Sequence, residues 1–387
     1  MFIAPAVRTA PILRTRPAPR GLRLSALLCG LASALLVVTP SIAADAVQRA
    51  EVATGLYELA YSAKQDKVLV ASAGTFAETS EAPRIVWLDA DDLGVDASVV
   101  LERKAFGLVL DDANDRLYVG NTVDTSVTVV DTAAKRVLGV VQLMEKKTGA
   151  DGKARYTHDL RELVVDAPNH RLYVTGHAQE GSVLFVVDTQ SLKLLATLEG
   201  LGNAKAPGLA LDAANKRVYT SNLRGEVVVV GTDSGKVEQR FPITAEQPMN
   251  IALDPDSNRM FVTDQGLAMI RQYQAGSIEG FASKHPGQRV LVLDRTTGRE
   301  IASIATDAGP LAVLLDAPRK RLYVTNREAG TVTAYDSQTY ARTGRWEVSG
   351  HPNSLALDAK GNVLYVSIKN GQDAAKDAKE SVARIQL

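Results

Sequence analysis

RLYVTNREAGTVTAYD, residues Arg321–Asp336, decides the fold because the chain repeats it. A short apolar run, a polar turn and a second apolar run ending in Asp recur as RLYVGNTVDTSVTVVD (Arg116–Asp131), RLYVTGHAQEGSVLFVVD (Arg171–Asp188) and RVYTSNLRGEVVVVGTD (Arg217–Asp233). Weaker copies begin at Lys67, Arg259 and Val363, which makes seven. The aromatic position, or its equivalent, of each copy falls at Leu69, Tyr118, Tyr173, Tyr219, Phe261, Tyr323 and Tyr365. The intervals are 49, 55, 46, 42, 62 and 42 residues, so the base period is 42 and the longer intervals hold insertions. A period of this size points to a repeat architecture rather than a single irregular domain.

Working outward from the Arg321 copy, each unit contains four apolar stretches. Leu311–Asp316, Arg321–Thr325, Thr331–Asp336 and Arg342–Val348 are separated by turns rich in Asp, Asn, Gly and Pro. β-branched runs of this length between such turns spell an antiparallel meander. Many runs, such as Val227–Val230, are apolar on both faces. A sheet with one wet face alternates; a sheet covered on both sides need not. The expected fold is therefore all-β, a seven-bladed propeller of four-stranded antiparallel blades, each blade covered by the next. The last unit has only three strands, ending in Ser381–Leu387, while one orphan strand, residues 47–53, precedes the first unit. Pairing the two completes the last blade and removes the seam. A loose tail at 47–53 would leave the strand count one short.

Residues 1–43 read as a secretory signal peptide and 44–387 as the single propeller domain. The first 23 residues carry five Arg and no acid, and Leu24–Val38 is an apolar run of 15 residues, too short for a membrane span. Small residues at Ser41 and Ala43 suit cleavage near Ala43/Ala44. The only cysteine, Cys29, lies in this leader, so the exported chain has no disulfide or thiolate site. Removing five of the 44 basic residues leaves 39 against 44 acidic, a balance of −5. An anion would have to meet a local basic patch.

The insertions Ala73–Arg84, Met144–Asp159 and Gln265–Gly287 all fall in loops after second strands or before first strands. In a propeller those loops share one face, and elaborated loops on a rigid scaffold are where binding is expected. Aligning the starts of the first strands puts Tyr57, Glu58, Phe106, Arg161, Glu162, Asn250 and Asn353 at the channel mouth. Asn121, His177, Asn222, Asn326, Arg327, His351 and Lys369 are turn residues on the same face. Together they form a candidate ligand ring; the plainer alternative is a solvated mouth with Arg161 paired to Glu58 or Glu162. Lys146, Lys147, Lys153, Arg155 and Tyr156 form a basic, aromatic loop suited to tracking a single strand by charge and stacking.

Other chemistries find little support. The histidines stand in no H-E-x-x-H spacing, and no G-x-S-x-G elbow occurs. No catalytic residue, metal or cofactor is expected. Glu58 and Glu162 are the one pair that would suit acid–base work. The recurrent Asp at strand ends reads as a turn-former.

The Tyr323–Asn326 core resembles the YVTN family of β-propeller repeats. Tyr57–Ser62, Gly120–Thr122, Arg161–Val164, Gly208–Asp212, His351–Leu357 and Arg384–Leu387 fit the same pattern in order along the chain. The resemblance implies a periplasmic, monomeric binding propeller with single-stranded DNA as its partner and no enzymatic activity. A small-molecule or metal-dependent enzyme or binder at the mouth, or a protein-docking scaffold, is the alternative. The chain departs from the family pattern at Gln265–Gly287, at Glu145–Asp159 and at Asn370–Lys379.

Overall fold

The structure is a computed structural model and describes residues 47–75 and 81–387. The leader and its cleavage position lie outside the described residues, as does the middle of the first insertion.

Seven four-stranded antiparallel sheets follow one another around a ring. Blade 1 contains Leu56–Ser62, Lys67–Ser72, Arg84–Asp89 and Val95–Val100, innermost strand first. Blades 2 to 6 repeat this order, beginning at Leu108, Asp159, Gly208, Pro248 and Pro310. Blade 7 takes His351–Asp358, Val363–Lys369 and Glu380–Gln386 from the C-terminus and Gln48–Ala53 from the other end. Gln48 pairs with Arg384, Arg49 with Ala383 and Ala50 with Val382, so the strand at 47–53 closes the ring as its count required.

The repeated aromatic explains how each blade is held. Tyr118 of blade 2 packs with Leu172 and Val174 of blade 3, and Tyr173 with Val218 of blade 4. Tyr219, Phe261 and Tyr323 do the same one blade further on. Tyr365 of blade 7 then packs against Val68 and Val70 of blade 1, while Leu69 reaches Leu117 and Val119 of blade 2. The core is thus seven inter-blade layers, which is why inner strands are apolar on both faces. Only the outermost strands alternate, as in Val95–Val100.

The strand-end aspartates hold turns. Asp336 accepts the N–H groups of Gln338 (2.9 Å) and Thr339 (2.8 Å), and Asp188 those of Gln190 (3.1 Å) and Ser191 (2.7 Å). These bonds lower the pKa of both carboxyls. At each turn between first and second strands one residue is left-handed: Asp66, Asp115, His170, Lys216, Asn258, Lys320 and Asn362. Short, repeated turns keep that face plain. The opposite face carries a small hairpin (Lys147–Thr148 with Ala154–Arg155), a helix α1 (Ala268–Ser277) and the segment 370–379.

Candidate functional site

The first strands converge at the axis, and their starts bring side chains from distant blades together. Tyr57 and Phe106 meet edge to face, 4.6 Å between ring centres. The Lys369 ammonium stands 3.8 Å over the Tyr57 ring. It donates to the Leu56 carbonyl (2.8 Å) and to Glu380 (3.1 Å). Glu380 also accepts the N–H groups of Leu56 (2.6 Å) and Asn370 (3.1 Å). Arg327 donates to Asn353 Oδ1 (3.1 Å), Asn353 Nδ2 donates to the Tyr57 carbonyl (3.4 Å), and His351 Nδ1 donates to the Arg327 carbonyl (2.9 Å). Blades 6, 7 and 1 are therefore stitched by one polar network. Burial holds Lys369 below the usual lysine range; Glu380 opposes this and Arg327 adds to it.

A second cluster adjoins the first and draws on blades 1, 2, 3 and 5. Glu58 accepts the Leu108 N–H (2.8 Å), and Asn250 Nδ2 donates to Glu162 Oε1 (3.0 Å). Arg161 Nε lies 3.8 Å from Glu162. Burial, reinforced by the charge of Glu162, pushes Glu58 well above the usual carboxylate range, while Arg161 and the Leu108 N–H pull the other way. Burial raises Glu162 too, against Arg161 and Asn250. Two carboxyls that resist joint ionisation thus crowd one guanidinium on this side, while Lys369 faces Glu380 on the other, so the mouth holds cations and acids together. Arg161 Nε and Asn250 Oδ1 are buried and have no hydrogen-bond partner.

Not every residue of the expected ring faces the opening. Asn121, Asn222 and Asn326 are completely buried. Asn121 bonds the Lys104 carbonyl (3.1 Å) and accepts from Ser126 (3.1 Å) and Thr128 (2.8 Å). Asn222 bonds the Leu201 carbonyl (2.9 Å) and Glu226 (2.8 Å). Asn326 bonds Thr331 (3.2 Å) and Thr333 (3.0 Å). Their amides brace the turn that follows the second strand, and no surface is left for a ligand. A repeated buried Asn at that position, in N-x-x-x-x-S/T spacing in Asn121 and Asn326, was the available signal of a structural latch.

The basic loop forms one wall of a groove of about 760 Å³, lined by Lys147, Arg155, Tyr156, His158, Glu180 and Asn203, among others. Lys146 lies 5.2 Å over the Tyr156 ring. Arg155 is paired with Asp151 inside the hairpin, and the Lys153 N–H donates to Asp151 (3.2 Å). Next to the groove is a smaller pocket of about 320 Å³, lined by His177, Lys205, Met249, Met269, Ile270 and Tyr273, with Pro207 and Leu223 behind. Ala178 and Asn203 line the groove and their near neighbours His177 and Lys205 the pocket, so the two are adjacent. Lys205 and Glu380 escaped the sequence reading: each is a lone charge in a loop or at a strand start, and only tertiary contact gives it a role. Among the described residues no three His, Cys, Asp or Glu side chains stand together as a metal site.

No protein-family model matches the sequence. YncE of Salmonella typhimurium (strain LT2) is 32% identical over 365 residues, covering 92% of this chain and 96% of that one. YncE of Escherichia coli (strain K12) shows the same identity and coverage. Among solved structures, hydrazine synthase of Kuenenia stuttgartiensis superposes with a TM-score of 0.65 at 15% identity, covering 87% of this chain and 97% of that one, a likeness of fold alone. With this identity along nearly its whole length and seven blades in register, the chain belongs to the YncE family of β-propellers.

Proposed function

We propose that this chain is an exported, non-catalytic propeller that binds single-stranded nucleic acid across its elaborated face. The observation that carries the reading is a band of cations interleaved with aromatic rings. It runs from Lys147, Arg155 and Tyr156 through Lys205 and Tyr273 to Arg161, Tyr57, Phe106, Arg327 and Lys369. Cations and aromatic rings on one face are the two components that sequence-tolerant single-strand binding combines. Asp151, Glu162, Asp159 and Glu380 stand beside four of these cations, and a strand's phosphates would compete with them. The exported chain is mildly acidic, so attraction rests on this band and not on a global field. Export itself rests on the leader composition of residues 1–43. The test is fluorescence polarisation of a labelled oligonucleotide over a range of salt. Lys147→Glu with Arg155→Glu should weaken binding and reduce the magnitude of the log–log salt slope by roughly 0.7 for each phosphate no longer neutralised. Wild-type affinity and slope in the double variant would reject the reading.

One observation favours a second reading. The Glu58–Glu162 pair, with Arg161 beside it, is acid–base equipment at a single opening. A small anionic ligand held there would raise the melting temperature, and Arg161→Ala would abolish that shift while the loop variants left it intact.

A further inference from the structure

The pocket beneath α1 is almost wholly apolar, whereas the adjoining groove is polar and carries Lys147, Arg155, His158, Glu180 and Glu199. Met269 is 67% exposed, the most exposed large apolar side chain among the described residues. It belongs to the insertion Gln265–Gly287, where the chain departs from its family pattern. The helix sits on a small apolar cluster, Ala204, Leu223 and Ile278, against which its Ile270 and Tyr273 pack. It is pinned by polar anchors: buried Gln274 donates to the carbonyls of Leu223 (2.9 Å) and Glu246 (2.6 Å). Gln247 brackets its start, accepting from the Leu267 N–H (2.7 Å) and donating to the Leu267 carbonyl (2.9 Å). Held this way, α1 turns Met269 outward at the pocket, while Ile270 and Tyr273 line it from the side that also seats the helix.

We infer that this pocket is a subsite for one nucleobase, extruded from a strand that runs between the groove and the channel mouth. The inference rests on the nucleic-acid reading above. Its volume, about 320 Å³, lies at the small end of ligand pockets (roughly 300–1,000 Å³) and suits a single flat ring system. Tyr273 on one side and Met249 and Met269 on the others supply ring and thioether surface, which is soft and adapts to any base. Lys205 stands 5.4 Å over the Tyr273 ring, at the rim, where the phosphate of an extruded nucleotide would lie. Its other partner, Asp159, is 4.0 Å away, a loose pairing. Besides Lys205 and the Tyr273 hydroxyl, the lining holds His177, whose Nδ1 is buried without a hydrogen-bond partner. Burial pushes its ring down to about 3, and Lys205, Arg161 and His158 add to the shift. A neutral imidazole has one donor and one acceptor, the pairing that a base edge carries. An anionic apolar ligand of another class would use Lys205 but gain nothing from that donor–acceptor pair.

The test compares a short single-stranded oligonucleotide with its abasic counterpart, which keeps the phosphates and loses the bases. Met269→Ala removes an exposed thioether without adding charge and should fold normally; Met249→Trp fills the pocket from the start of the blade 5 inner strand. Each should weaken the natural strand by about tenfold, the range expected when one base no longer stacks, and leave the abasic strand unchanged. Lys147→Glu with Arg155→Glu should weaken both strands alike. If both methionine variants bind the natural strand as wild type does, the subsite is overturned and the backbone-tracking reading stands. If wild type binds neither strand, both fall together.

Discussion

Glu380 is the single acceptor on which three donors converge where the ring closes, and replacing it with Gln tests the mouth directly. Its side chain is 10% exposed and that of Lys369 15%. Removing one member of a buried ion pair costs ~3–5 kcal/mol, because the other charge is left without compensation. Lys369 has one escape, to lose its proton, and at pH 7 that costs ~1.36 × (10.5 − 7), or about 5 kcal/mol, which caps the penalty. A destabilisation of ~3–5 kcal/mol at pH 7 follows, with part of it from the Leu56 and Asn370 N–H groups that lose an anionic acceptor. The pH dependence gives a second handle. Folded Lys369 already binds its proton less readily than the unfolded side chain at 10.5, so between the two values the unfolded chain carries more protons and stability rises with pH. In the Gln variant the folded value falls further, so the gap from wild type should narrow steadily as pH rises from 7 toward 10. Urea titrations at several pH values, followed by the fluorescence of buried Trp87, measure both effects. A cost below ~1 kcal/mol at pH 7, the figure for an exposed pair, or a gap that ignores pH, would refute the reasoning.

Three further outcomes are expected. His177, held down to about 3 against an ordinary 6.5, should show no imidazole titration in NMR between pH 5 and pH 8. Its folded value lies below the unfolded one, so it costs stability as pH falls through that window, and His177→Gln should flatten the stability curve below 6.5; a titration midpoint near 6.5 would contradict this. Asn121→Ala strips bonds from the Lys104 carbonyl, Ser126 and Thr128, and should cost about 2–3 kcal/mol while leaving oligonucleotide affinity untouched. A loss of affinity at unchanged stability would mark Asn121 as a binding residue after all. Val52→Asp places a carboxylate in the layer between blades 7 and 1, and should cost more than ~3 kcal/mol and open residues 47–53 to proteolysis; a stable, resistant variant would mean that the closing strand is dispensable.

The repeat itself carried the blade count, the strand order and the ring closure. Each depends on signals within a few residues: an Asp that binds the next N–H groups, a left-handed turn residue, an aromatic one period from the next. Such local signals survive in a linear string because the physics that reads them is local. The same periodicity put the insertions on one face, since strand number alone decides on which side a loop emerges. What the string could not decide was which mouth residues would be consumed by one another. Asn353 meets the Tyr57 carbonyl across 296 positions of chain, Lys369 meets that ring across the closure, and Asn250 reaches Glu162 across two blades. Asn121 and Arg327 look alike as polar residues after a second strand, yet one is sealed within the blade and the other faces the axis. That difference is decided by packing: Asn121 is sealed by Ser126 and Thr128 of its own blade, and Arg327 is turned to Asn353 of the next. The pocket under α1 needs side chains of blades 3, 4 and 5 to meet, because groups distant in the chain share an environment only once the blades stack.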